Sequence, residues 1–503
     1  MAFYFKSKKL DISAGTPLVV VINTKDAHEY GLHQGDKVYL CWNDICLYVA
    51  VDFSDSTVLP GELGMFNEVW DKYNIPSSDT VSLTLPDPAK SLENIKKKIR
   101  GGRLTYEEIK EIMEDIAERR LSTIEMTYFA ASSYNPGFNE DEIYFLTKAM
   151  AETGDLLDFS GGDPTKKVID KHSIGGIPGK GVTSVLVPIV ATFDNLVVPN
   201  TSSRAITTPA GTSDMLEVVM PVTLPKEEIL RVVKEEGACL VWGGGMHLAP
   251  ADDILINIER PLKMESYDKF LVSIVAKKAA MKITHLLIDI PYGPGTKVEN
   301  ISEVEKVQDH FEKLCGKFGI KVGIYKRESL SPDGYGVGPL LEIRDVLRIF
   351  ERHPERPMLL ENLIIDMAGR LLELAEVAGP GEGSQLARGK LESGEAEKKF
   401  WSIAFAQGAT KKVKSSDLIV AEFSHTVKAD KTGIISRIGN RETVDIARAL
   451  GAPFIKEAGM YFHKLVGDNI SHGDPVVTLY ATNSERLELG VEVMGRKKEF
   501  IVI

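Results

Sequence analysis

Two short stretches of this chain carry the residue types that hold an anion. The first runs Asp170-Lys171-His172-Ser173-Ile174-Gly175-Gly176; the second runs from Ser202 through Ser203, Arg204, Thr207, Thr208 and Gly211 to Thr212, Ser213 and Asp214. Each sets a fixed cation among glycines and hydroxyl side chains, so that backbone N–H groups, O–H donors and a Lys or Arg can converge on phosphate oxygens. A helical apolar pattern resumes after each turn, with Val182, Val185, Leu186 and Ile189 after the first and Met215, Leu216 and Val219 after the second. Helix N-termini would then face the ligand. Either stretch alone also reads as an ordinary turn; together they read as two walls of one phosphate site.

Such a site needs elements that bring both turns to one edge. Val168-Ile169 leads into the first turn, Leu196 to Val198 into the second, Ala238 to Trp242 into Gly243-Gly244-Gly245, and Leu286 to Ile290 into a loop ending at Lys297. Strands alternating with helices imply an α/β sheet, whose ligands sit beyond the carboxyl ends of the strands. Residues 161–250 and 284–340 are therefore read as a central α/β phosphate-binding domain.

The flanking regions differ in period. Residues 1–86 show short apolar runs (Pro17 to Ile22, Lys37 to Cys41, Val81 to Leu85) between turns, predicting a small β-barrel-like domain that ends in a Pro86-Asp87-Pro88 linker. Residues 87–160 turn helical: Thr105-x-x-Glu108 and Asn139-x-x-Glu142 are capping-box patterns, with Ile109, Ile112, Met113 and Ile116 on the inward face of the first helix. Residues 251–283 read as a helical return to this lobe, leaving a cleft against the α/β domain that closes and excludes water. Helices from about Leu340 to Phe405 and a β-rich end make 341–503 a C-terminal α+β domain. The predicted fold class is a multi-domain α/β protein.

Composition narrows the function. At 503 residues the chain exceeds one hydrophobic core. A formal net charge of −12 argues against a nucleic-acid surface while leaving room for a small anionic substrate in a local basic pocket. Cys41, Cys46, Cys239 and Cys315 fit neither a disulfide framework nor metal-ligand spacing and read as buried thiols of a cytoplasmic protein. There is no signal-peptide core and no run of about 18 apolar residues, so no membrane span is expected. No His, Asp or Glu spacing suggests a metal, and no cofactor is expected.

The segment Lys171-His172-Ser173 with Gly175-Gly176, then Ser203-Arg204 and Ala210-Gly211-Thr212-Ser213-Asp214 ending in Leu216-Glu217, resembles the signature of the thymidine/pyrimidine-nucleoside phosphorylase family. The likeness runs from about Ala89 to the C-terminus. Arg204-Ala205-Ile206-Thr207-Thr208, Val241-Trp242-Gly243-Gly244, Leu248 to Asp253 and the extra N-terminal domain look like the archaeal AMP phosphorylase branch. The resemblance implies phosphorolysis of a nucleoside 5′-monophosphate, AMP above all, with CMP and UMP as further substrates. It also implies a homodimer or larger homo-oligomer. The stretches from Gly433 and from Val466 resemble halves of a lipoyl-like sandwiched barrel without a modifiable lysine, which points to a structural part.

By the same resemblance, Lys171, Ser173 and Ser184 bind the attacking phosphate without covalent catalysis, and Thr212 matches both a position of this set and a nucleotide contact, so the sequence leaves open which phosphate it serves. Gly176, Ser203, Arg204, Ala205, Ile206, Thr207, Thr208, Thr212, Ser273 and Lys297 contact the nucleotide, and Arg260, Ser273 and Lys277 hold the base. Ser273 and Lys277 are four apart on a predicted helix and share a face. His172, between two phosphate ligands, is placed for the sugar or base; alone it would read as structural. A purine leaves best when protonated, which needs a carboxylic acid with a raised pKa. Where AMP phosphorylases carry an aspartate, five residues after Arg260, this chain has Glu265, with Asp268 a competing candidate. The alternatives are a thymidine or pyrimidine-nucleoside phosphorylase, a magnesium-dependent anthranilate phosphoribosyltransferase, and a non-catalytic nucleotide sensor.

Overall fold

The computed structural model describes residues 2–15, 18–43, 45–85, 89–205, 208–259, 267–497 and 500–503. The expected linker Pro86–Pro88 lies outside them. Contacts group the chain into two units, 1–153 with 250–269, and 154–249 with 270–503.

In the first unit, β1 (Ala2–Lys9), β2 (Val19–Asn23), β3 (Lys37–Trp42), β4 (Ile45–Ser54), β5 (Glu62–Met65) and β6 (Thr80–Thr84) close a barrel in the order β1-β5-β2-β4-β3-β6. Helix α1 (Thr24–Tyr30) follows β2 and α2 (Asn67–Tyr73) follows β5. Strand, strand, helix, strand therefore occurs twice, and the pairings match: β1 with β5 and β4 with β2 are parallel, while β1 with β6 and β4 with β3 are antiparallel. The inward positions, among them Val20, Ile22, Leu40, Val49, Val51, Leu63 and Leu83, fill the barrel. The β3–β4 hairpin sets Cys41 opposite Cys46, and the two form a disulfide with Cα atoms 4.1 Å apart. This corrects the reading of all four cysteines as thiols; Cys239 and Cys315 are free and buried. Spacing in sequence did not reveal a partner that only strand register brings into line.

The rest of this unit is helical: α3 (Ser91–Ile99), α4 (Tyr106–Ala117), α5 (Thr123–Ala131), α6 (Glu140–Glu152) and, returning, α10 (Pro250–Glu259). Both expected capping boxes form, at Thr105/Glu108 and Asn139/Glu142. Glu142 is buried and is satisfied by the Asn139 and Leu104 N–H groups and by Lys98 Nζ, 2.8 Å from both its oxygens.

The second unit is built on five parallel strands, β7 (Lys167–Ser173), β8 (Leu196–Ser202), β9 (Ala238–Trp242), β10 (His285–Tyr292) and β11 (Lys321–Glu328), in the order β11-β10-β7-β8-β9. The order runs outward from β7 in both directions, which makes β7 and its neighbours the switch point where open α/β sheets bind ligands. Helices α7 (Val182–Val190), α8 (Thr212–Leu216), α9 (Lys226–Glu236), α11 (Tyr267–Ala280) and α12 (Ile301–Lys317) alternate with the strands. Residues of α11 from Phe270 onward pack in this unit, so the helical return expected over 251–283 ends at 269.

A second correction concerns α13 (Pro339–Phe350), α14 (Met358–Leu374), α15 (Gly383–Glu392) and α16 (Glu395–Ala406). Expected in a C-terminal domain, they bury Val346, Ile364, Leu371, Phe400 and Ile403 in the same core as Ile169, Val185, Val198 and Leu240. Amphipathic periodicity shows that a face is buried without naming its partner. Beyond them lies a mixed β and α layer. β12 (Gly336–Val337), β16 (Gly459–Phe462), β18 (Pro475–Ala481) and β13 (Phe423–Lys428) make a sheet in the order β12-β16-β18-β13. Strand pairs β14 (Gly433–Ile434) with β17 (Asn469–Ile470) and β15 (Arg437–Ile438) with β19 (Ile501–Val502), and helices α17 (Asn440–Leu450) and α18 (Ser484–Gly495), complete it.

Candidate active site

The carboxyl end of β7 carries Asp170, Lys171, His172 and Ser173. Asp170 is fully buried; its Oδ1 accepts from Asn200 Nδ2 at 2.7 Å and its Oδ2 from Lys278 Nζ at 2.5 Å. A buried charge is tolerated only when paired and hydrogen-bonded. The pair thereby ties β7 to α11.

Lys171 is buried with Nζ 3.6 Å from Asp289 Oδ2, which also accepts from Ser173 Oγ at 2.8 Å. Arg327 donates from Nε to Asp289 Oδ1 at 3.0 Å and makes two bonds to Asp333, at 2.7 and 2.9 Å. Burial pushes the Asp289 carboxyl up, but Arg327 and Lys171 outweigh it and hold it below its ordinary value. Burial lowers Lys171. Burial, then the charge of Lys171, brings Lys180 down to about 8. His172 lies well below its ordinary value through burial and then the charges of Lys278, Lys171 and Lys277, so it is a neutral imidazole at pH 7. It can donate or accept a hydrogen bond to a sugar but not act as a standing cation.

The loop from Ser173 to α7 turns through Gly175 and Gly176, at φ +92° and +95°, a region costly for other residues. A Cβ added at Gly176 would meet Lys297 and the Thr296 backbone within 3.5–3.8 Å. Farther on, Lys180 N donates to Glu342 Oε2 at 3.1 Å. Helix α7 starts at Val182 without a side-chain cap, which leaves its first N–H groups for a ligand. Ser184 is buried, and its hydroxyl has no hydrogen-bond partner among the described residues.

The second wall follows β8. Asp214, in α8, bends the loop onto itself: its Oδ2 accepts from Ala205 N at 2.7 Å and Gly211 N at 2.9 Å. Arg204 does not turn toward the phosphate wall. Its guanidinium donates to Glu217 at 2.6 and 2.9 Å and lies over the Trp242 ring, 5.2 Å from the centroid. Glu217 is held down to about 2, first by Arg204 and also by Lys456.

Between the walls is a cavity of about 120 Å³. Lys171, His172, Ser173, Lys180 and Thr183 line one side, Ser203, Thr208, Gly211 and Thr212 the other, with Asp289, Arg327 and Asp333 below. Three cations against two carboxylates leave a net positive charge suited to an anion. A drug-sized ligand needs roughly 300–1,000 Å³, so this is the anion end of a site.

Of the residues expected there, Lys171, His172, Ser173, Ser203, Thr208 and Thr212 line this cavity. Gly176, Lys297 and Ser184 are outside the lining; a Cβ added at Gly176 would come within 3.5 Å of Lys297 N, and Ser184 follows the lining residue Thr183. Ser273 and Lys277 stand on α11. Ala205 contributes a backbone N–H to the loop brace, and the Arg204 side chain is outside the lining. Ile206, Thr207, Arg260 and Glu265 lie outside the described residues, as does the side chain of Asp268. Sequence reasoning missed Lys180, Asp289, Arg327 and Asp333. An acid inside the apolar run Leu286 to Ile290 was a usable signal for Asp289, since buried carboxylates need a reason; Arg327 and Asp333 gave no local one. Among the described residues no cluster of His, Cys, Asp or Glu could hold a metal, and no helix is long and apolar enough to cross a membrane.

Known proteins can be set beside this geometry. Residues 92–154 match the helical bundle domain of a glycosyl transferase family, 165–397 the a/b domain of that family, and 434–499 the pyrimidine nucleoside phosphorylase C-terminal domain. An AMP phosphorylase of Methanococcoides burtonii is 38% identical over 497 residues, 99% of this chain and 97% of its own. A protein of Legionella pneumophila, provisionally named thymidine phosphorylase, is 38% identical over 95% of this chain and 90% of its own. Among solved structures, anthranilate phosphoribosyltransferase from Thermus thermophilus overlays with a TM-score of 0.51 at 18% identity, over 62% of this chain and 98% of that one. At that identity the overlay speaks for the fold alone.

Proposed function

We propose that this chain, which belongs to the thymidine/pyrimidine-nucleoside phosphorylase family together with the AMP phosphorylases, converts AMP and inorganic phosphate into adenine and α-D-ribose 1,5-bisphosphate. The observation that carries the reading is the single cavity between a cationic wall and a hydroxyl wall. One negative group attacks the sugar and a second is attached to it, so both must be held at once. Lys171, Ser173, Lys180 and the start of α7 suit the attacking phosphate, whose oxygen forms a bond to C1′ as the C1′–N9 bond breaks. The bonding pair leaves with adenine. Glu265 is proposed to supply the proton that adenine takes, and Arg260 and Lys277 to hold the base. Ser203, Thr208 and Thr212 suit the 5′-phosphate. The neutral His172 suits a sugar hydroxyl. A homo-oligomer in the cytoplasm, with CMP and UMP as further substrates, completes the proposal.

The second reading, a thymidine or pyrimidine-nucleoside phosphorylase, is favoured by one observation: Arg204 is bound to Glu217 instead of facing the cavity. Product analysis with inorganic phosphate, a chelator and a panel of AMP, CMP, UMP, adenosine, uridine and thymidine separates the two. Ribose 1,5-bisphosphate from AMP is the expected result. Turnover of thymidine with none of AMP would replace it.

A further inference from the structure

Helix α17 lies in the C-terminal layer, far along the chain from the walls, yet it touches the loops of the nucleotide half. At its start, Arg441 donates from Nη2 to Glu299 Oε1 at 3.3 Å, two residues after Lys297, and a Cβ added at Gly295, two residues before it, would come within 3.4 Å of the Arg441 side chain. At its other end Arg448 donates from Nη2 to the carbonyl of Thr208 at 3.4 Å. In the turn after α17, Lys456 Nζ donates to the carbonyl of Asp214 at 3.2 Å and to Glu217 Oε2 at 2.9 Å. Asp214 is the brace that bonds Ala205 N and Gly211 N, and Glu217 is the anchor of Arg204. At about 1.5 Å rise per residue, α17 bridges the 295–299 loop at its start and Thr208 near its end, and so links the two loops. No comparable tie from α17 or the turn after it reaches Lys171 or Ser173 among the contacts of the described residues.

We infer that Arg448 and Lys456 are positioning residues for the nucleotide half of the site: they set the Ser203–Thr212 loop without touching the substrate, and leave the phosphate half unaffected. The inference rests on the nucleotide phosphorylase reading, and it gives the C-terminal layer a part in substrate selection beyond a structural one.

The test uses the full-length enzyme with Arg448→Met, Lys456→Met and the conservative Lys456→Arg. Losing one charge-assisted bond to a loop carbonyl should raise KM for AMP about five- to tenfold. KM for phosphate should stay within about twofold, and Lys456→Arg should recover most of the loss, because a cation with N–H donors remains beside Glu217. Amide hydrogen exchange should speed up across 203–217 and stay slow in β7. Equal rises in both KM values, or unchanged exchange in 203–217, would overturn the inference. If a Met variant fails to fold, Lys456→Gln and Arg448→Lys are measured instead, with a rise confined to the AMP KM expected. Wild-type enzyme that turns over no nucleotide would remove the functional reading, whereas the exchange measurement would still decide whether this link holds the loop.

Discussion

The two walls of the cavity solve the same task by opposite means. The β7 wall puts charge at the ligand: Lys171 and Lys180 face the cavity, with Arg327, Asp289 and Asp333 beneath as a buried network. The β8 wall turns its cation away, ties it to Glu217, and offers hydroxyls and backbone. A buried charge is strong and poorly screened but must be exactingly paired, whereas a braced loop of neutral donors discriminates by position. The first wall should therefore govern how fast phosphate attacks, and the second which sugar is accepted.

The largest effect that would test this contrast is Lys171→Ala, expected to lower kcat/KM for phosphate by about 10²–10³-fold. A loss under tenfold would mean the charge is not aimed at the ligand. Asp289→Ala should come next, because it strips Lys171, Ser173 and Arg327 of one shared partner; breaking a buried pair costs roughly 3–5 kcal/mol, read as a fall in Tm. A Tm equal to wild type would show the network to be dispensable. The pH profile sharpens the comparison. Lys180 titrates at about 8, below its ordinary value, so it is charged at pH 7 and loses its cation as pH rises through 8. KM for phosphate should climb by about tenfold per unit above that point, while KM for AMP stays comparatively flat. Parallel rises would merge the two walls into one. The smallest effect is expected of Arg204→Ala. Its pair with Glu217 is partly exposed and such pairs contribute about 1 kcal/mol or less, so KM for AMP should rise less than tenfold. Complete loss of nucleotide turnover would put the guanidinium back on the 5′-phosphate.

Much of this was legible in the chain itself. The turns at Lys171 and Thr212 announced themselves because glycine, hydroxyl and cation sit within a few residues, and the capping boxes at Thr105 and Asn139 are local chemistry. What stayed hidden depends on which elements become neighbours. Asp289 and Arg327 join Lys171 only because the sheet runs β11-β10-β7. The orientation of Arg204 is decided by Glu217, itself held by Lys456, 239 residues beyond Glu217 in sequence. Helices α13 to α16 look alike in sequence whether they cover a sheet or start a new domain, and Cys41 finds Cys46 through hairpin register alone.

The doubled pattern of the N-terminal barrel has one more consequence. Its halves interlock, each laying its first strand parallel to the second strand of the other, so neither can complete a wall of strands by itself. They meet at the β3–β4 turn, and the Cys41–Cys46 bond spans that seam. Cutting the chain inside the turn would thus leave a covalent rivet between two mutually dependent pieces, and the barrel should outlast such a nick until a reductant releases them.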